Sequence, residues 1–158
     1  MKTPEPIKRS KALIPLSKDH HDGLLLVFKI RQGIKFKVTP KRISNYCSWF
    51  WNHHLIPHFA KEEEVLGPKM NNLIYLRQQL FNEHQVIKEA VENLGKGNSY
   101  DNLESFANIL NEHIRFEERV LFTELEKSLT EDELRNIEYE LRDEERNCEN
   151  WPDEFWNR

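Results

Sequence analysis

Glycine and proline are scarce in this chain, and their scarcity limits the folds open to it. The 158 residues include five glycines and seven prolines, too few for the many tight turns that connect short strands. No stretch approaches the ~20 consecutive apolar residues that a membrane-spanning helix needs. The N-terminal sequence MKTPEPIKRSKALIPL lacks the apolar segment of an export signal. We therefore expect a helical protein that is cytoplasmic and does not enter a membrane.

Cysteine is also rare, and several common kinds of site are missing. Cys47 and Cys148 lie far apart and form no C-x-x-C pair, so neither is expected to be a metal ligand. The sequence shows no Ser-His-Asp or Cys-His set, no glycine-rich phosphate loop and no strand-based nucleotide site. These absences direct attention to histidine and the acidic residues.

The net charge of -4 hides an uneven distribution along the chain. Residues 1–42 hold 11 Lys or Arg and only three acidic residues, whereas the remainder is acidic. A basic segment can bind nucleic acid or acidic lipid. The basic residues here are scattered and mostly lack aromatic neighbours on which bases would stack. We therefore expect this segment to pack near the acidic C-terminal third, and we expect no nucleic-acid partner.

Helix start and stop signals predict an all-α fold in a single domain. Three prolines predict an extended leader over 1–16, and Ser17 is the predicted N-cap of the first helix. Pro57 should kink the second helix one turn before His58. The predicted helices run from Ser17 to about Gly33, from Thr39-Pro40 to about Leu66, from near Met70 to Leu94, from Ser99 to about Ser128, and from a Thr130 capping box to about Arg146. We predict a four-helix up-and-down bundle over 17–128, followed over 129–158 by an extra C-terminal helix and an aromatic tail that docks on the bundle.

Each of the four bundle helices carries one apolar face with spacings of three and four residues. On the first helix this face is predicted to include Leu24 and Val27. On the second and fourth it is predicted to continue through Val65 and Val120. These faces should form the core of the bundle.

Histidine and glutamate interrupt these apolar faces near the middle of each helix. His58 precedes Glu62 by four residues and His113 precedes Glu117 by four, so each pair shares one face of its helix. A buried glutamate is costly unless it is paired or binds a metal. Four inward histidines and two inward glutamates form a set that suits two iron ions in a helical bundle. The candidate metal ligands are His20, His58, Glu62, His84, His113 and Glu117.

Two positions leave alternatives open. His20 and His21 are adjacent, and we favour His20 because it aligns with Leu24 and Val27, whereas His21 lies nearer the edge of the face. His54 lies one turn before His58 and is expected to support the site rather than to bind metal. Glu83 and Glu112 are further candidates for contacts with the ligands, and Glu63, Glu64 and Glu118 are expected at the surface or in such contacts.

Four motifs in this order resemble those of the hemerythrin-like, or HHE cation-binding, family: DHHDGLL, HFAKEEEVL, NEHQVI and HIRFEERVLF. The resemblance covers about residues 16–128 and implies a four-helix bundle that holds a non-haem di-iron centre. It implies that the four histidines are terminal ligands and that Glu62 and Glu117 bridge the two metals. Oxygen-carrying hemerythrins have a second histidine one turn from the ligand on the third helix. Here Leu80 lies one turn before His84 and Lys88 one turn after it, so that second histidine is absent. The sequence therefore resembles the hemerythrin-like domains of iron-centre repair proteins more than it resembles the oxygen carriers.

This ligand set implies a small-molecule function. Each iron would receive two imidazoles and one oxygen from each bridging glutamate, and an oxide or hydroxide bridge would leave one open position. Manganese or zinc could replace iron. We expect a protein that binds or senses dioxygen, nitric oxide or peroxide, or that handles iron. The alternative is a di-iron redox enzyme of the peroxidase, oxidase or nitric oxide reductase type.

Overall fold

The protein is described by a computed structural model over residues 8–97, 99–142 and 150–157. These residues form helices and connecting turns, with no β-strand among them, which confirms the all-α class. Helix α1 is Ile14–Lys35, α3 is Ile74–Lys96 and α5 is Glu131–Glu140. None of the helices in the described ranges is long and apolar enough to cross a membrane.

Helices α2 and α4 are continuous but change their winding. Helix α2 covers residues 40–66, and α4 covers residues 100–128. The segments of α2 are α-helical Pro40–Phe50, π-helical Trp51–Leu55, α-helical Ile56–Lys61 and π-helical Glu62–Leu66, with a 3₁₀ turn at Gly67–Lys69 after it. The segments of α4 are α-helical Tyr100–Phe116, π-helical Glu117–Leu121 and α-helical Phe122–Ser128.

The polar residues at helix starts explain several of these boundaries. The Ser99 hydroxyl accepts a hydrogen bond from the Asn102 amide at the start of α4. Thr130 and Glu133 form the predicted capping box at the start of α5. Helix α1 begins at Ile14, with Pro15 in its first turn, rather than at the predicted Ser17. Proline fits there because the first helical N–H groups have no intrahelical acceptor.

Residues 1–7 of the predicted leader and residues 143–149 lie outside the described residues. Helix α5 ends at Glu140, before its predicted end near Arg146. The third helix starts at Ile74, later than the predicted start near Met70. In the described part of the tail, Phe155 is buried, and Tyr46 contacts the rings of Phe155 and Trp156. The aromatic tail therefore packs against α2.

The buried apolar residues form two clusters, one on each side of a polar layer. On α1, Leu16 belongs to one cluster and Leu26 to the other, and His20 lies between them in sequence. On α3, Leu80 and Ile87 flank His84 in the same way. On α2 and α4 the order along the chain is reversed, because Phe59 and Ile114 belong to the cluster of Leu26, whereas Leu66 and Leu121 belong to the cluster of Leu16. The fold thus places a polar layer in the middle of an apolar core.

Because of the π-helical turns, two of the predicted core residues are not the ones that are fully buried. A π turn contains one residue more than an α turn, so the helix face beyond it shifts by one residue. After Glu62 the fully buried residue is Leu66 rather than Val65, and after Glu117 it is Leu121. Val120, which was predicted to be buried, is 44% exposed. The π turn before Pro57 similarly occupies the place where a kink was predicted.

Helix α1 shows a further difference from the predicted face. Leu24 is 41% exposed, whereas Val27 is buried as predicted. Gly23 faces inward instead, because a Cβ atom at that position would lie 2.9 Å from Cδ1 of Ile114 on α4. The apolar pattern did not indicate Gly23, because glycine has no apolar side chain. It is this lack of a side chain that allows α1 to approach α4 closely.

Candidate metal centre

The polar layer contains all six of the residues predicted to bind metal. Four helices contribute to it, and each side chain is at most 5% exposed. These residues are His20 on α1, His58 and Glu62 on α2, His84 on α3, and His113 and Glu117 on α4. The structure therefore brings the predicted set together, while their role as ligands stays a prediction.

Glu62 lies among three imidazoles. Its Oε1 is 3.0 Å from Nε2 of His84 and 3.3 Å from Nε2 of His58. Its Oε2 is 3.8 Å from Nε2 of His20. One carboxylate thus faces ring nitrogens from α1, α2 and α3.

Glu117 occupies the equivalent place on α4. Its Oε2 is 3.3 Å from Nε2 of His20, and its Oε1 contacts Nε2 of His113 and lies 3.9 Å from Nε2 of His84. Glu62 and Glu117 each begin a π-helical turn. Turns of this kind occur often at functional sites.

The six side chains form two overlapping groups that could each hold a metal ion. The first metal position would use His20 and His58, and the second would use His84 and His113. Glu62 and Glu117 belong to both groups. Within each group the potential ligand atoms all lie within 4.8 Å of one another. Two carboxylates shared between two pairs of imidazoles make an arrangement suited to two cations.

The unsatisfied polar atoms of this layer support the same interpretation. Buried polar atoms normally have hydrogen-bond partners. Among the described residues, several buried nitrogen and oxygen atoms of the six side chains have none. They are Nδ1 and Nε2 of His20, Nε2 of His58, Nε2 of His113, Oε2 of Glu62, and both oxygens of Glu117. All of these atoms except Nδ1 of His20 face into the layer, and cations between them would satisfy their lone pairs, so this donor set fits metal binding.

A second carboxylate faces the outer ring nitrogen of each histidine. Nδ1 of His113 lies 2.7 Å from Glu83, and Nδ1 of His84 lies 2.8 Å from Glu63. The corresponding distances are 3.0 Å from His58 to Asp19 and 3.5 Å from His20 to Glu118. A neutral imidazole that donates its Nδ1–H outward presents the Nε2 lone pair inward, as metal binding requires.

These outer contacts form a closed circuit around the helices. Asp19 on α1 faces His58 on α2, Glu63 on α2 faces His84 on α3, Glu83 on α3 faces His113 on α4, and Glu118 on α4 faces His20 on α1. Each helix therefore supplies a carboxylate to the next helix rather than to its own histidine. We call these four contacts the outer ring.

Electrostatic interactions within the layer outweigh the cost of burial at Glu62 and His20 but not at His113. Burial raises the pKa of Glu62, but the imidazoles, His58 foremost, outweigh it and hold the pKa well below its usual range. Burial lowers the pKa of His20, but the carboxylates of Glu118 and Glu62 outweigh it and raise the pKa to about 9. For His113 burial prevails, and the pKa is lowered. The Glu62 carboxylate thus stays ionised in a buried environment.

The three residues that the sequence suggested as contacts of the ligands, Glu83, Glu112 and His54, have different surroundings in the structure. Glu83 contacts His113 as expected of a supporting residue, whereas the Glu112 side chain is 73% exposed and pairs with Arg115. His54 contacts the rings of Trp49 and Phe50, and its supporting role stays a prediction. The Glu112 side chain points into solvent instead of into the polar layer.

Sequence reasoning missed the role of Asp19 as a contact of His58. The signal was present as an acidic residue directly before a histidine, as in Glu83-His84. The acidic residue serves the histidine of the neighbouring helix, which the local sequence does not reveal. His21, adjacent to the predicted ligand, is exposed to solvent.

A surface groove between α3 and α4 reaches this layer. Its volume is ≈ 680 Å³. His113 and Glu83 form part of its wall, together with Val86, Ile109 and Phe116. The groove gives a small molecule access to one edge of the outer ring.

The chain belongs to the hemerythrin family: a family model described as the hemerythrin HHE cation binding domain matches residues 13–125. This range includes all six candidate ligands and the four carboxylates of the outer ring. Comparison with curated proteins and with solved structures finds no significant match. Cation binding is thus the property shared with the family, and the buried histidines and glutamates are the groups able to hold a cation.

Proposed function

We propose that this protein binds two non-haem iron ions and uses them to bind or sense dioxygen, nitric oxide or peroxide, or to handle iron. The observation that carries the proposal is the sharing of Glu62 and Glu117 between two groups of buried imidazoles. Imidazole and carboxylate ligands suit iron and also accept manganese or zinc. When bound, the iron pair would supply redox chemistry and open coordination positions.

We further propose that α1 to α4 form a four-helix bundle with α5 as an extra helix. The outer ring supports this arrangement because its contacts connect each helix to the next and then return from α4 to α1. In such a bundle all four helices direct side chains to one central layer.

The residues of the chain have distinct tasks in this proposal. Glu62 and Glu117 would hold the two ions together and offset part of their charge. The outer ring would fix the orientation of the imidazoles, and the two apolar clusters would exclude water from the layer. His20 and His58 would hold the first ion, and His84 and His113 the second.

Metal analysis after anaerobic iron loading tests the proposal directly. We expect about two ions per chain and a higher melting temperature, because metal binds the folded site better than the unfolded chain. Zinc is the control: it should raise the melting temperature without giving a spectral response to nitric oxide, whereas the iron-loaded protein should respond. Absence of bound metal together with an unchanged melting curve would overturn the proposal.

A di-iron redox enzyme is the second candidate, and the groove at His113 is the observation that favours it. A volume of ≈ 680 Å³ is large enough to admit an organic substrate or a small electron donor. Repeated rapid turnover of peroxide or nitric oxide by the iron-loaded protein would favour the enzyme. Stoichiometric, reversible binding would favour the carrier or sensor.

A further inference from the structure

Arg9 lies next to the polar layer, although it precedes the residues that match the family. Its side chain is only 9% exposed. Nη1 donates a hydrogen bond to Oε1 of Glu126 at 2.6 Å, and Nη2 donates to the backbone carbonyl oxygen of Glu118 at 2.5 Å. Glu126 also lies just beyond the matched range of 13–125. The largely covered guanidinium of Arg9 therefore joins the N-terminal segment to α4 beside the candidate site.

The Glu118 contact is the longest in the outer ring. Its Oε1 lies 3.5 Å from Nδ1 of His20, whereas the other three contacts measure between 2.7 and 3.0 Å. The other oxygen of Glu118 accepts a hydrogen bond from Ser17 at 3.0 Å and lies 3.6 Å from Nη2 of Arg9. The position of this carboxylate is thus set by Arg9 and Ser17 as well as by His20.

Arg9 also contacts the aromatic ring that packs on His20. Phe122 stacks on the His20 imidazole with ring centroids 5.4 Å apart and an interplanar angle of 12°. The guanidinium carbon of Arg9 lies 5.4 Å from the centroid of the same phenyl ring, within the range of a cation–π contact. Arg9 therefore touches both of the groups that orient His20.

The second metal position has no arginine in this role. Its outer carboxylates are Glu63 and Glu83, and no arginine of the described ranges forms an ion pair with either of them. One oxygen of Glu83 accepts a hydrogen bond from the neutral amide of Gln79 at 2.7 Å instead. The two metal positions share Glu62 and Glu117 but differ in what surrounds their histidines.

We propose that Arg9 is a positioning residue for the first metal position, where it holds Glu118 and Phe122 against His20. This inference rests on the proposed function, since it assigns a role to Arg9 in the same site. It makes the two metal positions unequal, and it makes the affinity of the first depend on a residue that precedes the range matched by the family model.

Anaerobic titration of the metal-free 158-residue protein with Co(II) tests this inference. The wild type should bind about two ions, and Arg9→Gln should weaken binding at the first position by about tenfold, the effect typical of lost support behind a metal ligand. Arg9→Lys should restore part of the affinity, because a lysine keeps the charge but lacks the planar fork that reaches two acceptors. Arg42→Gln is the matched control, since Arg42 pairs with Asp153 at the surface, and it should bind as the wild type does.

Combining Arg9→Gln with the loss of a histidine ligand shows which metal position Arg9 supports. In His20→Ala the first position is lost, so adding Arg9→Gln should leave the remaining affinity unchanged. In His113→Ala the second position is impaired, and Arg9→Gln should still weaken the remaining site about tenfold. Circular dichroism of each metal-free variant verifies that it is folded.

The outcomes separate this inference from the proposed function. Failure of the wild type to take up Co(II) would refute the proposed function, and with it the role of Arg9. Uptake of two ions by the wild type, with Arg9→Gln either harmless or equally damaging in both backgrounds, would overturn the role of Arg9 alone.

Discussion

Replacing Glu62 by glutamine should separate the stability of the fold from the stability that metal adds. Glu62 is fully buried, and three imidazoles surround its carboxylate at 3.0 to 3.8 Å. Glutamine has nearly the same shape but carries no charge and cannot bridge two cations. The substitution therefore removes one shared ligand while leaving the packing largely intact.

The expected magnitude has two parts. In the metal-free protein, breaking a buried ion pair by removing one partner costs about 3 kcal/mol or more. With metal at about a thousand times its dissociation constant, each occupied site adds about 4 kcal/mol to the free energy of unfolding. For a protein of this size about 4 kcal/mol raises the melting temperature by roughly 8 to 16 °C. Glu62→Gln should lose most of this metal-dependent increase.

The assay is thermal unfolding with and without iron or zinc, combined with metal analysis of the same samples. Glu64→Gln is the control, because Glu64 lies two residues further along α2 and is exposed. It should keep both the bound metal and the full increase in melting temperature. If Glu62→Gln retained two ions and the full increase, Glu62 would not be a shared ligand.

Three further predictions concern the remaining parts of the site. His20→Ala should lose metal at one position, whereas His21→Ala, which changes an exposed side chain, should bind as the wild type does; equal losses would contradict the assignment of His20. Glu83→Gln should weaken metal binding about 10- to 100-fold, because it removes the carboxylate that supports a ligand. Glu112→Gln changes a side chain that is 73% exposed and should leave metal binding unchanged. Calorimetric titration measures the affinity of both variants. The pKa of His20 is raised to about 9 in the folded metal-free protein, against ~6.5 in the unfolded chain. This difference contributes stability that is fully present below pH ~6.5 and is lost as the pH rises through about 9. Glu118→Gln should reduce that loss in urea unfolding at pH values from ~6 to ~9.5, and an unchanged pH profile would argue against the contact.

The sequence by itself determined the helices and the face on which each candidate ligand lies. These are local properties: a residue and its fourth neighbour share a helix face whatever the rest of the chain does. The pairs His58–Glu62 and His113–Glu117 are therefore evident from their spacing alone, and so are the caps at Ser99 and Thr130. The six buried side chains of the polar layer follow from the same periodicity.

Only the tertiary structure decided which carboxylate contacts each of the four histidines from outside the layer. Asp19 contacts His58, and Glu83 contacts His113 instead of the adjacent His84, because the outer ring depends on which helices are neighbours and how far each is shifted along its axis. The π-helical turns that begin at Glu62 and Glu117 shift the buried face of the remaining helix by one residue, and no local pattern marked them. Arg9 meets Glu118 and Glu126 across more than a hundred residues of chain. Contacts of that kind are set by the packing of whole helices, and a local sequence pattern carries no information about it.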